Sequence, residues 1–166
     1  SVRLLGVYSL THQYAGQLVP DVYLDKERWH VWGELAARRR PDQLYEPGND
    51  TTAETSEPYT TDDLGVRVRP SMAIFGPVRL GVHAGIAVSR VRKTRPGGLL
   101  ESGALEGSEG ATLVGAGPAL ILDDRDDNLS PRRGRHFLLQ LEFYRRALGG
   151  RTDTGIHTLD LRHYLD

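Results

Sequence analysis

Apolar and polar residues alternate along most of the chain, and helical spacing is scarce. From Val78 onward, Val78, Leu80, Val82, Ala84, Ile86 and Val88 keep one phase, while Arg79, Gly81, His83, Gly85, Ala87 and Ser89 keep the other. Phe137, Leu139, Leu141 and Phe143 alternate with Leu138, Gln140, Glu142 and Tyr144. Trp29, Val31, Gly33, Leu35 and Ala37 oppose His30, Trp32, Glu34, Ala36 and Arg38, and Leu64, Val66 and Val68 oppose Gly65, Arg67 and Arg69. Leu18, Pro20, Val22 and Leu24 oppose Gln17, Val19, Asp21 and Tyr23. A period of two sends successive side chains to opposite faces of a sheet. The pattern predicts about eight strands, near residues 1–11, 15–24, 28–39, 61–74, 78–92, 110–123, 134–147 and 152–165.

Most of these runs exceed the usual strand of about 5–6 residues. They match the roughly 9–11 residues that a tilted strand needs to cross a bilayer. Asp25-Lys26-Glu27 and Gly76-Pro77 read as tight turns, whereas Arg40 to Thr60 and Lys93 to Glu109 read as long polar loops. With sequential hairpins, the short turns share one end and the long loops the other, as in outer-membrane barrels. The short first and seventh connections depart from that rule. Tyr23, Trp29, Tyr59, Phe75, Phe137, Phe143 and Tyr164 lie at or near expected strand ends, as rings of an interfacial belt do. The expected fold is all-β, an antiparallel up-and-down transmembrane β-barrel fragment of about eight strands. The alternative is a soluble, lipocalin-like ligand-binding meander, whose apolar face points inward.

Composition narrows the partners. The chain has 166 residues, 21 Lys and Arg against 22 Asp and Glu, a net charge of -1, and no cysteine. That excludes a disulfide scaffold, a thiolate metal site and a cysteine nucleophile, and near-zero charge argues against nucleic acid as a partner. The most apolar stretch, Gly110 to Leu122, holds three glycines and Pro118 and falls short of the about 20 residues of a transmembrane helix. Hydrophobic content of 39% looks soluble, but a barrel strand shows lipid only every second residue.

Candidate chemistry is sparse. Asp124, Asp126, Asn128 and Ser130 have the spacing of a calcium loop, but Leu129 replaces the needed Gly and Arg135 the bidentate Glu. The structural expectation is a turn held by Asp side chains bonding local backbone, with Pro131 fixing φ and Gly134 freeing it. The six histidines include no helical pair at metal spacing, and His30 and His83 read as polar wall residues. There is no Gly-x-Ser-x-Gly elbow and no phosphate-binding glycine loop. No catalytic residue, metal or cofactor is expected, and the chain is not read as an enzyme. Glu34, Arg38, Arg67, Arg69, Arg79, Glu142 and Arg146 stand on the polar strand faces; in a membrane barrel these faces must line a water-filled lumen, because such charges are costly in lipid.

Two segments resemble the BamA/TamA-like bacterial surface antigen family. Arg40-Pro41-Asp42-Gln43-Leu44-Tyr45-Glu46-Pro47-Gly48-Asn49-Asp50-Thr51 is similar to a family loop, with Gly48 and Asn49 matching and Leu44 replacing an aromatic. Leu122 to Gly134 resembles the family turn Tyr-Asp-Thr-Arg-Asp-Asn-x-x-x-Pro-x-x-Gly; Asp124, Arg125, Asp126, Pro131 and Gly134 match, and an extra Asp127 precedes Asn128. The loop Gly97 to Gly103 also looks typical of the group.

The resemblance implies a parent barrel of about sixteen strands in the bacterial outer membrane, with the Asp-rich turn periplasmic and the long loops extracellular. Residues 1–166 would be its N-terminal half. Neither a POTRA-like segment nor the Val-Arg-Gly-aromatic signature of an inward-folded loop stands within them. The implied function is to insert or translocate proteins, with outer-membrane lipid, client outer-membrane or secreted proteins and periplasmic accessory proteins as partners. A second reading makes the barrel the C-terminal anchor of a patatin-like phospholipase, whose enzyme part would precede Ser1.

Overall fold

In a computed structural model the alternating runs become β1 (Val2–Tyr8), β2 (Tyr14–Leu24), β3 (Trp29–Leu44), β4 (Glu57–Phe75), β5 (Val78–Lys93), β6 (Gly110–Asp123), β7 (Gly134–Tyr144) and β8 (Thr154–Tyr164). The structure describes residues 1–10, 12–45, 56–93, 95–105, 107–127 and 129–165. All eight strands belong to one antiparallel sheet in the order β1-β2-β3-β4-β5-β6-β7-β8. The sheet curls into a half-barrel, so the expected all-β up-and-down architecture is borne out. The only helical pieces among the described residues are α1 (Leu99–Ser102) and a single 3₁₀ turn, Arg146–Leu148.

Directly paired residues share a face, so the registers write rows across the sheet. One row runs Leu18, Leu35, Val66, Ile86, Val114. The row on the opposite face runs Glu34, Arg67, Gly85, Gly115, Tyr144. The sequence period therefore becomes two chemically distinct surfaces of a single layer.

Burial separates them in an unusual sense. The apolar face is the open one, with Leu64, Leu80, Val82, Leu159 and Leu161 all more than half exposed. On the polar face Ser71, His83, Gln140 and Glu142 are buried. A single-layer sheet buries a side chain only where curvature brings its own neighbours together, so the polar face is the concave one.

Three expectations need correction. The loop expected from Arg40 to Thr60 is shorter, because β3 continues to Leu44 and β4 begins at Glu57, in register through Pro41↔Thr60 and Gln43↔Pro58. Both prolines lie where the outer neighbour has stopped, since β2 pairs with β3 only as far as Tyr14↔Arg39 and β4 with β5 as far as Tyr59↔Lys93. Each thus occupies a local edge, where a missing N–H is tolerated. The strand expected to reach residue 147 ends at Tyr144, so Arg146 stands in the 3₁₀ turn instead of on a strand face. Finally, α1 interrupts the loop expected after Lys93. It lies against the mouth of the concave face, where Glu57 accepts a bond from the Leu100 N–H at 3.2 Å.

Candidate functional site

The feature with concentrated chemistry is the concave face. β6 supplies its floor. Gly115, Gly117 and Ala119 face inward, beside Gly85, His83 and Gly81 of β5 and next to Tyr144 and Gln140 of β7, and Gly117 lies so close to β7 that a Cβ there would stand 1.8 Å from the Leu141 carbonyl oxygen. Over this low floor, side chains from β5 and β7 meet across β6. His83 Nε2 is 3.5 Å from Glu142 Oε1. The other Glu142 contacts are hydrogen bonds from the Gln140 amide and the Tyr144 hydroxyl.

β3 and β4 join the same network. Arg69 donates to Gln140 Oε1 at 3.0 Å, spanning β5 and β6, and its guanidinium lies 5.1 Å from the Trp32 ring centroid. Glu34 accepts from Arg67 at 3.1 Å and from Gln17 at 2.8 Å. Toward the short-turn end, His30 stacks on Tyr23 at 4.3 Å and meets Asp21 at 3.0 Å. Arg79 also lies over Tyr23, 5.3 Å from its ring centroid, and donates to the Glu27 carbonyl. Toward the long-loop end, Arg38 and Asp63 approach to 3.9 Å and Ser89 donates to Asp63 at 2.6 Å. A depression of about 490 Å³ opens there, with Gln17, Glu34, Arg67 and Ser89 among its walls.

Of the seven charges assigned to polar faces from sequence, Glu34, Arg38, Arg67, Arg69, Arg79 and Glu142 all stand on the concave face. Arg146 does not; it belongs to the 3₁₀ turn and lies 3.9 Å from Asp153. The network is more polar than the sequence list implied: Gln17, Trp32, Gln140, Tyr144, Asp21 and Asp63 belong to it. The phase of alternation already places them there. Mixed charge held by cross-strand bonds makes this face a wettable wall. No group of three or more His, Asp or Glu side chains able to hold a metal ion occurs among the described residues.

The Asp-rich connection between β6 and β7 is the second built feature. Asp126 Oδ1 accepts the N–H groups of Asp127, Arg132 and Arg133 at 2.9, 3.0 and 3.2 Å. Asp127 Oδ1 accepts those of Leu129 and Ser130, both at 2.7 Å. Asp123 binds Arg125 through both carboxylate oxygens, at 2.8 and 2.7 Å, and meets His136 at 3.2 Å. Asp124 binds Arg135 through guanidinium and backbone N–H. Gly134 turns with φ +109, and a Cβ there would stand 2.5 Å from the Asp124 carbonyl oxygen. Pro131 sits inside the turn, between Ser130, whose N–H goes to Asp127, and Arg132, whose N–H goes to Asp126.

These carboxylates spend their oxygens on the turn, as the sequence suggested. Burial pushes Asp123 upward, but the bonds from Arg125 and His136 outweigh it and hold the group well below the usual carboxylate range. Asp124 is lowered by Arg135, Asp126 by the backbone of Arg132 and Arg133, and Asp127 by the backbone of Ser130 and Leu129. Gly48 and Asn49 of the first motif lie outside the described residues.

The expected ring of strand-end aromatics is only partly right. Trp29, Phe75, Phe137 and Phe143 share the apolar convex phase, whereas Tyr23, Tyr59 and Tyr164 fall in the concave phase by register. The convex aromatics at the long-loop end include Tyr8 and Tyr14, paired directly across β1 and β2. The chain matches no family model, no curated protein and no solved structure.

Proposed function

We propose that this chain is wall from an outer-membrane β-barrel of BamA/TamA-like type, in a protein that inserts or translocates other proteins at the bacterial outer membrane. The observation that carries the membrane part is the inversion of the faces. The convex surface holds a band dominated by Leu, Val, Ile, Phe and Trp, interrupted on β8 by His157 opposite Leu141, while the concave surface is lined by paired polar side chains. On β5 the band runs from Val78 to Val88, ten residue steps, or about 33 Å along the strand. Tilted by the usual roughly 40°, that is about 25 Å, the height of a barrel's lipid-facing belt.

A soluble lipocalin-like barrel needs the opposite arrangement, apolar inside and charged outside. The assembly or translocation role rests on the Asp124-to-Gly134 turn and its resemblance. In this role the chain makes no bond and breaks none. It supplies a lipid-facing belt, a wet lumen wall and a rigid periplasmic turn, and its partners are lipid, client proteins and periplasmic accessory proteins.

The experiment is in two steps. The full-length protein is first fractionated and run unheated and heated on a gel. Partition with outer membrane and a heat-dependent shift are expected; solubility without detergent ends the membrane reading. Purified protein in phospholipid vesicles is then given an unfolded outer-membrane client. Faster client folding than in protein-free vesicles supports the assembly role, and an unchanged rate overturns it.

A further inference from the structure

The convex face does not end in the same way at its two ends. At the short-turn end its charge is internally balanced, because Arg135 is closed on Asp124 at 2.6 Å. At the long-loop end the row immediately beyond the apolar band runs Tyr8, Tyr14, Arg39, Asp62, Arg90. Arg92 stands one step further along the same face, paired with Thr60. Three arginines thus share this rim with one carboxylate, which Arg39 and Arg92 contact.

Asp62 is already committed. Arg39 binds it through both oxygens at 2.6 and 3.0 Å, and Arg92 bonds it as well. Arg39 also covers the Tyr14 ring, 5.6 Å from its centroid. Arg90 is exposed, and its side chain has no hydrogen-bond or ion-pair partner among the described residues. Arg92 is bonded yet its side chain remains 65% exposed. The patch therefore carries two uncompensated positive charges, one of them with all its donors open. Arginine is the side chain whose planar fork matches phosphate oxygens.

We infer that Arg39, Arg90 and Arg92 form a binding site for the phosphate of an anionic lipid headgroup in the leaflet at the long-loop end. The inference rests on the membrane reading given above and sharpens it by naming which lipid chemistry the rim reads. Position selects the lipid source over free phosphate. The row directly inside the rim is Ala37, Leu64, Val88, and the tyrosines of the rim row are the rings favoured at headgroup depth. A phosphate held there is one whose acyl chains lie along the belt. Arg39 organises the site by fixing Asp62; Arg90 and Arg92 contact the ligand.

The test uses the full-length protein and two vesicle types: phosphatidylcholine alone, and phosphatidylcholine with a fifth replaced by phosphatidic acid. Spin-labelled phosphatidic acid and spin-labelled phosphatidylcholine report the lipid at the protein surface. A basic residue at an anionic surface contributes about fivefold in binding. Wild type is expected to select phosphatidic acid over phosphatidylcholine by about 25-fold, twice that single-residue effect on a logarithmic scale. The R90Q/R92Q double variant should lose most of this selection, and R90K/R92K should keep the greater part. Equal selection by wild type and R90Q/R92Q overturns the site, as does displacement of the labelled lipid by millimolar inorganic phosphate, which would assign a free anion. Failure of wild type to enter either vesicle overturns the membrane reading itself, and is told apart because phosphatidylcholine alone already reports it.

Discussion

Ile86 and Ala87 are neighbours in β5 and face different surroundings. Ile86 stands in the convex row with Val66 and Val114, and is 43% exposed. Ala87 stands in the concave row with Gly65 and Leu113, beside the depression walled by Glu34 and Arg67. Alternation alone gives two faces but does not say which is inside. Curvature decides it here: small residues on β5 and β6 let the polar side chains of β4, β5 and β7 converge, and convergence buries them. Burial in this chain therefore marks the polar face, and exposure of an isoleucine marks the surface that lipid would cover.

The sharpest way to break that contrast is to give both neighbours the same charge. Ile86→Arg places a guanidinium in the belt and is expected to cost about 2–4 kcal/mol. Ala87→Arg adds it to a wet, mixed-charge wall and should stay within about 0.5 kcal/mol. Urea unfolding in phosphatidylcholine vesicles measures both. Equal losses would mean that the two faces are not differently solvated.

The next effect comes from the concave network. Glu142→Leu removes the acceptor of Tyr144 and Gln140 and the carboxylate beside His83. Stranded buried donors cost about 1–3 kcal/mol, so the variant should be destabilised by about that much in the same unfolding experiment. Glu142→Gln keeps the shape and one acceptor and should lose less. In a barrel with an apolar interior the leucine would be neutral or stabilising, so the sign of the change is itself the result.

The Asp-rich turn gives a smaller effect with a pH signature. Its carboxylates are lowered in the folded chain relative to their ordinary value near 3.9. A lowered carboxylate contributes stability that is complete above its unfolded value and is lost as pH falls through its folded value. The thermal midpoint of the gel shift should therefore be insensitive to this turn above about pH 5 and should fall below about pH 4. Asp126→Ala, which frees the N–H groups of Asp127, Arg132 and Arg133, should lower that midpoint by a few degrees at neutral pH and flatten its acid slope.

How much of this was legible follows the period. Wherever a strand crosses the apolar band, phase alone places its residues, and Glu34, Arg67, Arg69 and Glu142 stand where alternation puts them. The Asp126 and Asp127 turn was legible because its bonds are local. What was missed lies beyond the band. There hydrophobicity stops marking phase, although phase continues: Arg39 follows Ala37 and Arg90 follows Val88 on the same face, so the rim carries no apolar mark in the sequence. Pro41 and Pro58 lie in the stretch expected to be loop, because sequence does not show where a neighbouring strand stops. Arg146 is in step with Glu142 along the sequence, but the chain leaves the sheet at Tyr144, where the Arg145 N–H bonds the Val114 carbonyl and a 3₁₀ turn closes at Gly149.

The short turn between β2 and β3 offers the smallest change and the only gain. Asp25, Lys26 and Glu27 all have positive φ, at 49°, 50° and 70°, and the Arg28 N–H closes the turn on the Asp25 carbonyl at 3.0 Å. Lys26 and Glu27 thus hold the two central positions of a primed turn, which Asn-Gly fits best. Left-handed backbone costs a residue with an ordinary side chain roughly 1–2 kcal/mol, and part of this is recovered by Asn and all of it by Gly, less the entropy glycine loses on folding. The K26N/E27G variant should therefore gain about 1 kcal/mol in the urea experiment and leave the heat-dependent gel shift in place. This turn lies outside the belt, and its contact with the concave face, from Arg79 to the Glu27 carbonyl, is to backbone that the variant keeps, so the gain should add to the loss from Ile86→Arg without interaction. A coupling between them would mean that turn geometry at the short end sets how the belt meets lipid, and that the two faces are not independent of the end that joins them.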